Sequence, residues 1–156
     1  MLDDSGLFTD SGRGFQSSVF VNPLLEKISS QSASADQTRS IDESLIRELK
    51  DNDIMRISAS TELGGLGESV VSIANELRAI APRCTSTAWC MWNHLCTFHH
   101  FAGLFGPENK NFLTQIVANK EWVCFPAGAS SKIIGSQTEE GIRLNGVAAF
   151  ASGSRY

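Results

Sequence analysis

The fold is decided by residues 85–104, which read TSTAWCMWNHLCTFHHFAGL. Apolar side chains occupy positions all round a helix drawn through this stretch, so no polar face remains for solvent. A helix of this kind belongs at the centre of a helical bundle, and we expect it to form the axis of the fold. Trp89 and Trp92 lie on one face of it, where we expect them to pack in the core rather than to form a stacking platform.

Two helical segments are predicted in the first fifty residues. The apolar residues between Val19 and Ile28 predict a short helix that begins at Pro23 and continues only weakly through the polar residues that follow. Ser40 and Glu43 have the spacing of a capping box, in which the serine hydroxyl caps the helix and the glutamate reaches back. The second helix is therefore expected to begin at Ser40.

Two more amphipathic segments, residues 68–80 and 108–117, lie on either side of the central stretch. The sequence LGGLG at 63–67 predicts a sharp turn, since glycine accepts the positive φ angles that a reversal requires. A phosphate-binding loop is not expected there, because no strand precedes it and no Lys-Ser or Lys-Thr pair follows.

After residue 120 the pattern changes from helical to strand-like. Short apolar runs at 122–125, 132–135, 142–144 and 147–150 are separated by Gly, Pro and Asn. Glu140-Gly141 is a plausible hairpin turn, and Asn145-Gly146 is a stronger one. A few strands alone are marginal in water, so their partner strands are expected in further sequence or in another chain.

The sequence thus predicts a mainly α protein in three parts. Residues 1–17 are expected to form a flexible leader, residues 18–119 a helical domain, and residues 120–156 an incomplete middle β domain. With 13 basic and 17 acidic residues and no basic cluster, a nucleic-acid partner is not expected. The N-terminus lacks a signal-peptide pattern, and no apolar run reaches the roughly 18 residues of a membrane span, which favours a cytoplasmic protein without a membrane partner.

The cysteines and histidines do not predict a metal site. Cys84, Cys90, Cys96 and Cys124 contain no C-x-x-C pair, and we expect them to be free cysteines packed in the core. His99-His100 has no carboxylate or thiolate at ligand spacing.

Six local motifs follow one another along the chain. They are ADQTRSID at 35–42, LGGLG at 63–67, STAW at 86–89 with His94 beyond it, LFG and ENK within 104–110, FPAGAS at 125–130, and GVAAFASG at 146–153. This set resembles the acyl-CoA dehydrogenase superfamily over most of the chain. The resemblance implies an N-terminal helical bundle followed by the beginning of a small β domain.

The resemblance also implies a flavin, FAD or FMN, against the two β-domain motifs. Ser152 would be the hydroxyl near flavin N5, and Phe150 would be the wall beside the ring. Ala129 and Ser130 would contribute loop contacts. Phe125 and Gly153 complete the implied cofactor contacts.

Two enzymatic branches of this superfamily remain open. The pair Cys124-Phe125 stands where dehydrogenases have Thr-Glu, and the dehydrogenase base lies in a C-terminal helical bundle that this chain does not contain. The phrases CTSTAW and FASG look more like the monooxygenase branch, which takes reduced flavin from a separate reductase and acts with O₂ on a small aromatic or heterocyclic substrate. Relatives usually form tetramers, so a homo-oligomer is expected for the full-length protein.

His94 is the catalytic candidate on the central helix, together with Ser152 in the β segment. The resemblance implies that His94 and Trp92 face the substrate between the two domains, and a neutral imidazole can exchange protons near pH 6.5. The alternative is a core histidine whose ring is satisfied by a backbone carbonyl or by Asn93. A further alternative, of a different class, is that the chain is a non-catalytic fragment or a helical interaction module.

Overall fold

The computed structural model describes residues 18–126 and 132–156. A 3₁₀ turn over Asn22–Leu24 leads into five helices and one two-stranded sheet. The helices are α1 (Leu25–Thr38), α2 (Glu43–Asp51), α3 (Val70–Ile80), α4 (Thr85–Phe105) and α5 (Lys110–Ala118), and the strands are β1 (Lys132–Thr138) and β2 (Gly141–Val147). The predicted fold class, mainly helical with a small β element at the C-terminal end, is confirmed.

The helix α4 is the axis around which the core forms. Its residues Ala88, Met91 and Leu95 join a buried cluster with apolar side chains from α1, α2 and α3. Phe98, one turn further on, packs in a second cluster with Leu113 and Val117 of α5. Burying apolar surface is the main force that holds helices of this length together, because isolated helices of nine to fourteen residues are marginal in water.

The first helix extends further than the sequence predicts. It continues through the polar residues to Thr38 and ends where Arg39 adopts a left-handed conformation, with φ +56°. Leu25, Ile28 and Ala35 share the buried side, so the polar residues between them face solvent without cost. A narrow apolar stripe is enough to hold this helix once the rest of the bundle is present.

The second helix is capped by Asp42, and the predicted Ser40 capping box is wrong. The Asp42 carboxylate accepts hydrogen bonds from the Ser44 backbone N–H at 2.8 Å and from the Ser44 hydroxyl at 2.6 Å. The bond with the Ser44 side chain contributes most to lowering the pKa of Asp42 below its usual 3.8. Aspartate caps as well as serine does, and Asp42 is two residues closer to the first helical turn.

The glycine-rich segment before α3 is a turn, as predicted. Gly64 and Gly67 have φ angles of +85° and +61°, which favour glycine. A side chain at Gly65 would overlap the backbone of Ala59, so this position also requires glycine. Backbone hydrogen bonds from Gly67 to Ala59 and from Glu68 to Ile57, each 2.8 Å, close the turn.

A buried carboxylate fixes the beginning of the described chain. Glu76, on α3, is 2% exposed and accepts hydrogen bonds from the backbone N–H groups of Val19 (2.6 Å), Phe20 (3.2 Å) and Val21 (2.8 Å). The Asn52 amide donates to the Phe20 carbonyl at 2.9 Å from the opposite side. Three consecutive donors around one carboxylate are the kind of hydrogen bonding that a buried charge requires.

The two strands form an antiparallel hairpin whose turn lies at Glu139–Glu140. A hairpin does form here, but its turn lies one residue before the predicted Glu140-Gly141, since Gly141 is the first residue of β2 and pairs with Thr138. The turn predicted at Asn145-Gly146 is wrong. Gly146 pairs with Ile133 inside the ladder, and a side chain at this glycine would overlap the Lys132 carbonyl oxygen. Close approach of two backbones, not a reversal, explains this glycine.

Two other predicted strands do not form. Residues 122–125 form no strand, and the side chains of His94 and Asn93 accept the Val123 and Phe125 backbone N–H groups, which a strand would use. Residues 148–150 follow β2 as irregular chain. None of the helices among the described residues combines the length and the apolarity needed to cross a bilayer.

Candidate functional site

Two tryptophans on the outer side of α4 form a stacked pair. Trp89 is 55% exposed and Trp92 is 43% exposed, and their ring centroids lie 4.9 Å apart. The prediction that both pack in the core is wrong. Asn93, His94 and Thr97 are buried instead, and the first two place their polar atoms against backbone groups that need partners.

A cavity of about 580 Å³ lies between the first half of α4 and residues 151–156. Ser86, Trp89 and Cys90 line it from the helix, and Ser152 and Gly153 line it from the other side. The Trp89 indole N–H donates a hydrogen bond of 2.9 Å to the Ser152 hydroxyl oxygen. The structure thus brings the predicted hydroxyl, Ser152, against an aromatic side chain 63 residues away.

Residues 151–156 are anchored to the helical layer at their far end. The Ile41 backbone N–H donates to the Tyr156 phenolic oxygen at 2.9 Å, and the Lys50 ammonium donates to the Tyr156 carbonyl at 2.8 Å. Gly153 has φ +92°, and a side chain there would meet the Trp122 indole nitrogen. These contacts hold the cavity wall close to the bundle.

Phe150, the predicted wall beside the flavin ring, does not line this cavity. Its side chain is 78% exposed, and its backbone has φ +61°, a conformation that bulky residues rarely adopt. A role for Phe150 against a cofactor stays a prediction.

His94 is a buried histidine whose two ring nitrogens are both occupied. Nε2 lies 2.8 Å from the Met55 carbonyl oxygen, and Nδ1 accepts the Val123 backbone N–H at 3.1 Å. A carbonyl can only accept, so the ring is neutral and carries its proton on Nε2. Burial first, and then the charge of Lys50, lowers the pKa of His94 to about 4.

These contacts match the alternative of a core histidine. His94 is 1% exposed and lines neither this cavity nor the smaller one beside Trp92. Its catalytic and substrate-binding roles stay predictions.

A smaller cavity, of about 220 Å³, lies further along α4. Trp92, a predicted substrate contact, and Phe125, a predicted cofactor contact, line it together. Ser152 does not line this smaller cavity. His100 also lines it, with its ring edge-on to Phe125 at 5.6 Å. No role at a cavity is predicted for His100 from the sequence, although its spacing of eight from Trp92 places both on one helix face.

The remaining predicted groups fall in different places. Ala129 and Ser130 lie outside the described residues. Over 18–126 and 132–156 no group of three or more His, Cys, Asp or Glu could hold a metal ion.

All four cysteines are free, but only Cys84 is buried and Cys96 is exposed, so the core prediction is wrong for Cys96. Burial raises the pKa of Cys90 to about 11, which keeps this cavity-lining residue a neutral thiol.

Comparison with known proteins identifies the family. Residues 20–119, more than half of the chain, match the model described as acyl-CoA dehydrogenase, N-terminal domain. The chain is also 28% identical over 138 residues to the p-hydroxyphenylacetate 3-hydroxylase, oxygenase component, of Acinetobacter baumannii. This match covers 85% of the chain and 31% of the relative, so the chain spans about a third of that protein's length. The chain therefore belongs to the acyl-CoA dehydrogenase family and contains its N-terminal helical domain.

Proposed function

We propose that the full-length parent is a flavin-dependent oxidoreductase of the acyl-CoA dehydrogenase-like type that works as a monooxygenase. It would use reduced flavin and O₂ on a small aromatic or heterocyclic substrate. The family match supports the flavoenzyme, and similarity to a hydroxylase oxygenase component supports the monooxygenase branch. Of the structural observations, the hydrogen bond between Trp89 and Ser152 at the large cavity carries the proposal.

The Ser152 hydroxyl is arranged to donate into the cavity. Because its oxygen already accepts the Trp89 indole N–H, the hydroxyl proton is free for a second partner. A bound flavin would supply the redox chemistry, and N5 of the oxidised ring is the acceptor that we assign to this proton. About 580 Å³ is within the range of small-molecule sites, and the exposed Trp89 offers an aromatic surface to a flat ring.

The smaller cavity is the proposed substrate side. Trp92 and Phe125 supply aromatic walls to this cavity of about 220 Å³, against which a compact aromatic ring can pack. His100, exposed beside them, is the imidazole that can reach a ligand there. The stack of Trp89 on Trp92 joins the two cavities along one face of α4. His94 acts in this proposal by holding Val123, and through it the chain that leads to Phe125.

The partners follow from the same reasoning. The relative is named as an oxygenase component, so we propose that a separate reductase supplies reduced flavin. We further propose that residues 120–156 begin a middle β domain, which the rest of a longer chain completes, and that the complete protein is a tetramer. Without these parts, the 156-residue chain would bind flavin but would not turn over substrate.

Flavin titration of the 156-residue chain tests this proposal. FMN and FAD, each oxidised and reduced, are added while flavin fluorescence is followed, for the wild type and for Ser152→Ala. Losing one hydrogen bond to the ring is expected to weaken binding about tenfold, or about 1.4 kcal/mol. Ser29→Ala, at an exposed serine of α1, is the matched control and should bind as the wild type does.

Two results would contradict the proposal. Equal binding by Ser152→Ala and the wild type would remove Ser152 from the flavin site. Failure of the full-length parent to bind either flavin would reject the flavoenzyme assignment and favour a helical interaction module.

A further inference from the structure

The large cavity contains two arginines that the proposed flavin contacts do not use. Arg39 lines it from the end of α1, and Arg155 lines it from the anchored C-terminal segment. Among the described residues that line this cavity, none has an acidic side chain; Asp36 lines an adjoining pocket of about 180 Å³. Two cations thus share one concave surface in a chain whose net charge is −4.

These guanidinium groups are available for a ligand. Within the described part of the chain, neither makes a hydrogen bond or an ion pair. Other arginines are satisfied internally: Arg56 pairs with Asp53 at 2.9 Å, and Arg83 donates to the Ala79 carbonyl at 2.7 Å. Arg39 and Arg155 differ from these two arginines in having unpaired guanidinium groups, and both line the same cavity.

Both arginines extend from backbone that is held in place. The Arg39 N–H donates to the Ala35 carbonyl, which closes α1 in its left-handed cap. Arg155 immediately precedes Tyr156, which is fixed to Ile41 and Lys50. Little backbone ordering remains to be done when a ligand binds, which favours affinity.

The other polar groups of the cavity suit an oxyanion. Ser86 and Ser154 add hydroxyl donors, and Ser86 lies in the first turn of α4, where the helix dipole favours negative charge. Guanidinium groups bind phosphate oxygens through paired N–H donors. Trp89 forms the aromatic wall of the same space.

We propose that this cavity binds the phosphate monoester of a ligand whose aromatic part lies against Trp89, with Arg39 and Arg155 as the phosphate ligands. FMN has this combination of an aromatic ring and a phosphate monoester. The phosphate site is argued from the cavity alone, and only the identity of the ring as a flavin rests on the proposed function. Riboflavin carries the same ring without the phosphate, so the two contributions can be separated.

The test begins with inorganic phosphate at constant ionic strength, titrated calorimetrically into the 156-residue chain. The wild type is expected to bind phosphate, and the double variant Arg39→Gln/Arg155→Gln to bind it at least tenfold more weakly. Arg47→Gln, at an exposed arginine of α2, is the control for the loss of surface charge and should leave phosphate binding unchanged. Because both cavity arginines are exposed and unpaired, the double variant is expected to unfold at the wild-type temperature.

The second arm compares FMN with riboflavin. FMN should bind the wild type at least tenfold more tightly than riboflavin does, and the double variant should not distinguish them. Equal affinities in the wild type, or phosphate binding that is insensitive to both arginines, would overturn the inference while leaving ring binding and the proposed function intact. Arginine-dependent phosphate binding without affinity for either flavin would support the anion site and reject the flavin proposal.

Discussion

Replacing Glu76 with alanine is expected to lower the free energy of unfolding by about 3–5 kcal/mol. The substitution removes the acceptor for the N–H groups of Val19, Phe20 and Val21 and leaves a space in a region where the glutamate is 2% exposed. A buried donor without a partner is costly, as the Val21 N–H would be, and the carboxylate is the acceptor that all three N–H groups share. Urea denaturation followed by far-UV circular dichroism measures the loss.

Glu76→Gln separates charge from shape. The amide retains the size of the side chain, but its NH₂ group must face an N–H donor, because the three donors approach both carboxylate oxygens. We expect this variant to lose a substantial part of the stability that the alanine variant loses. Glu62→Gln, at an exposed glutamate, is the control and should stay within about 0.5 kcal/mol of the wild type. A Glu76→Gln variant as stable as the wild type would contradict the role of the carboxylate.

The stability of the fold is expected to fall on acidification because of His94. The pKa of this group is about 4 in the folded chain against an ordinary 6.5, since burial disfavours the charged ring. Between these values the unfolded chain binds a proton that the folded chain does not. The stability from the neutral ring is therefore fully present above pH 6.5 and decreases as the pH falls toward 4, by about 3 kcal/mol in total. A protonated ring would also place an N–H against the Val123 N–H.

His94→Gln isolates this contribution. Glutamine can donate to Met55 and accept from Val123, but it does not titrate, so the free energy of unfolding should change much less between pH 7 and pH 4.5. The pKa values of Asp42 and Asp53 are lowered in the folded chain. The stability that these two carboxylates contribute is therefore lost only below about pH 4. The exposed His99 gives the control, His99→Gln, which should retain the wild-type pH dependence. An identical pH dependence in His94→Gln and the wild type would contradict the assignment.

The order of helices and the change to β structure could be predicted from periodicity and from glycine and proline positions. What periodicity could not supply is which face of α4 is buried. Apolar residues occur all round this helix, so no stripe marks the inner side, and the tryptophans were assigned to the core for that reason. The buried face is selected by Asn93 and His94, because their side chains satisfy the N–H groups of Phe125 and Val123. Such pairings depend on residues about thirty positions away and leave no local signal.

The candidate site, too, is only partly predictable from the sequence. Ser152 and Gly153 were identified through a motif, and both do line the large cavity. Trp89 and Arg39 were not predicted to be part of it, because they come from two other helical segments that meet Ser152 only in the folded chain. The sequence does not predict a metal site at His100, and only the position of Phe125 in the folded chain shows that His100 faces a cavity.

Nitrogen-15 NMR of the three tryptophan indole N–H groups shows whether a flavin ring lies against Trp89 and Ser152. Trp89→Phe assigns the signal, and FMN is added to saturation as judged by its fluorescence. The Trp89 indole signal is expected to shift on FMN binding, and the shift is expected to be smaller in Ser152→Ala, since the two groups share a hydrogen bond. A Trp89 signal that does not move at saturating FMN would contradict this placement of the flavin ring.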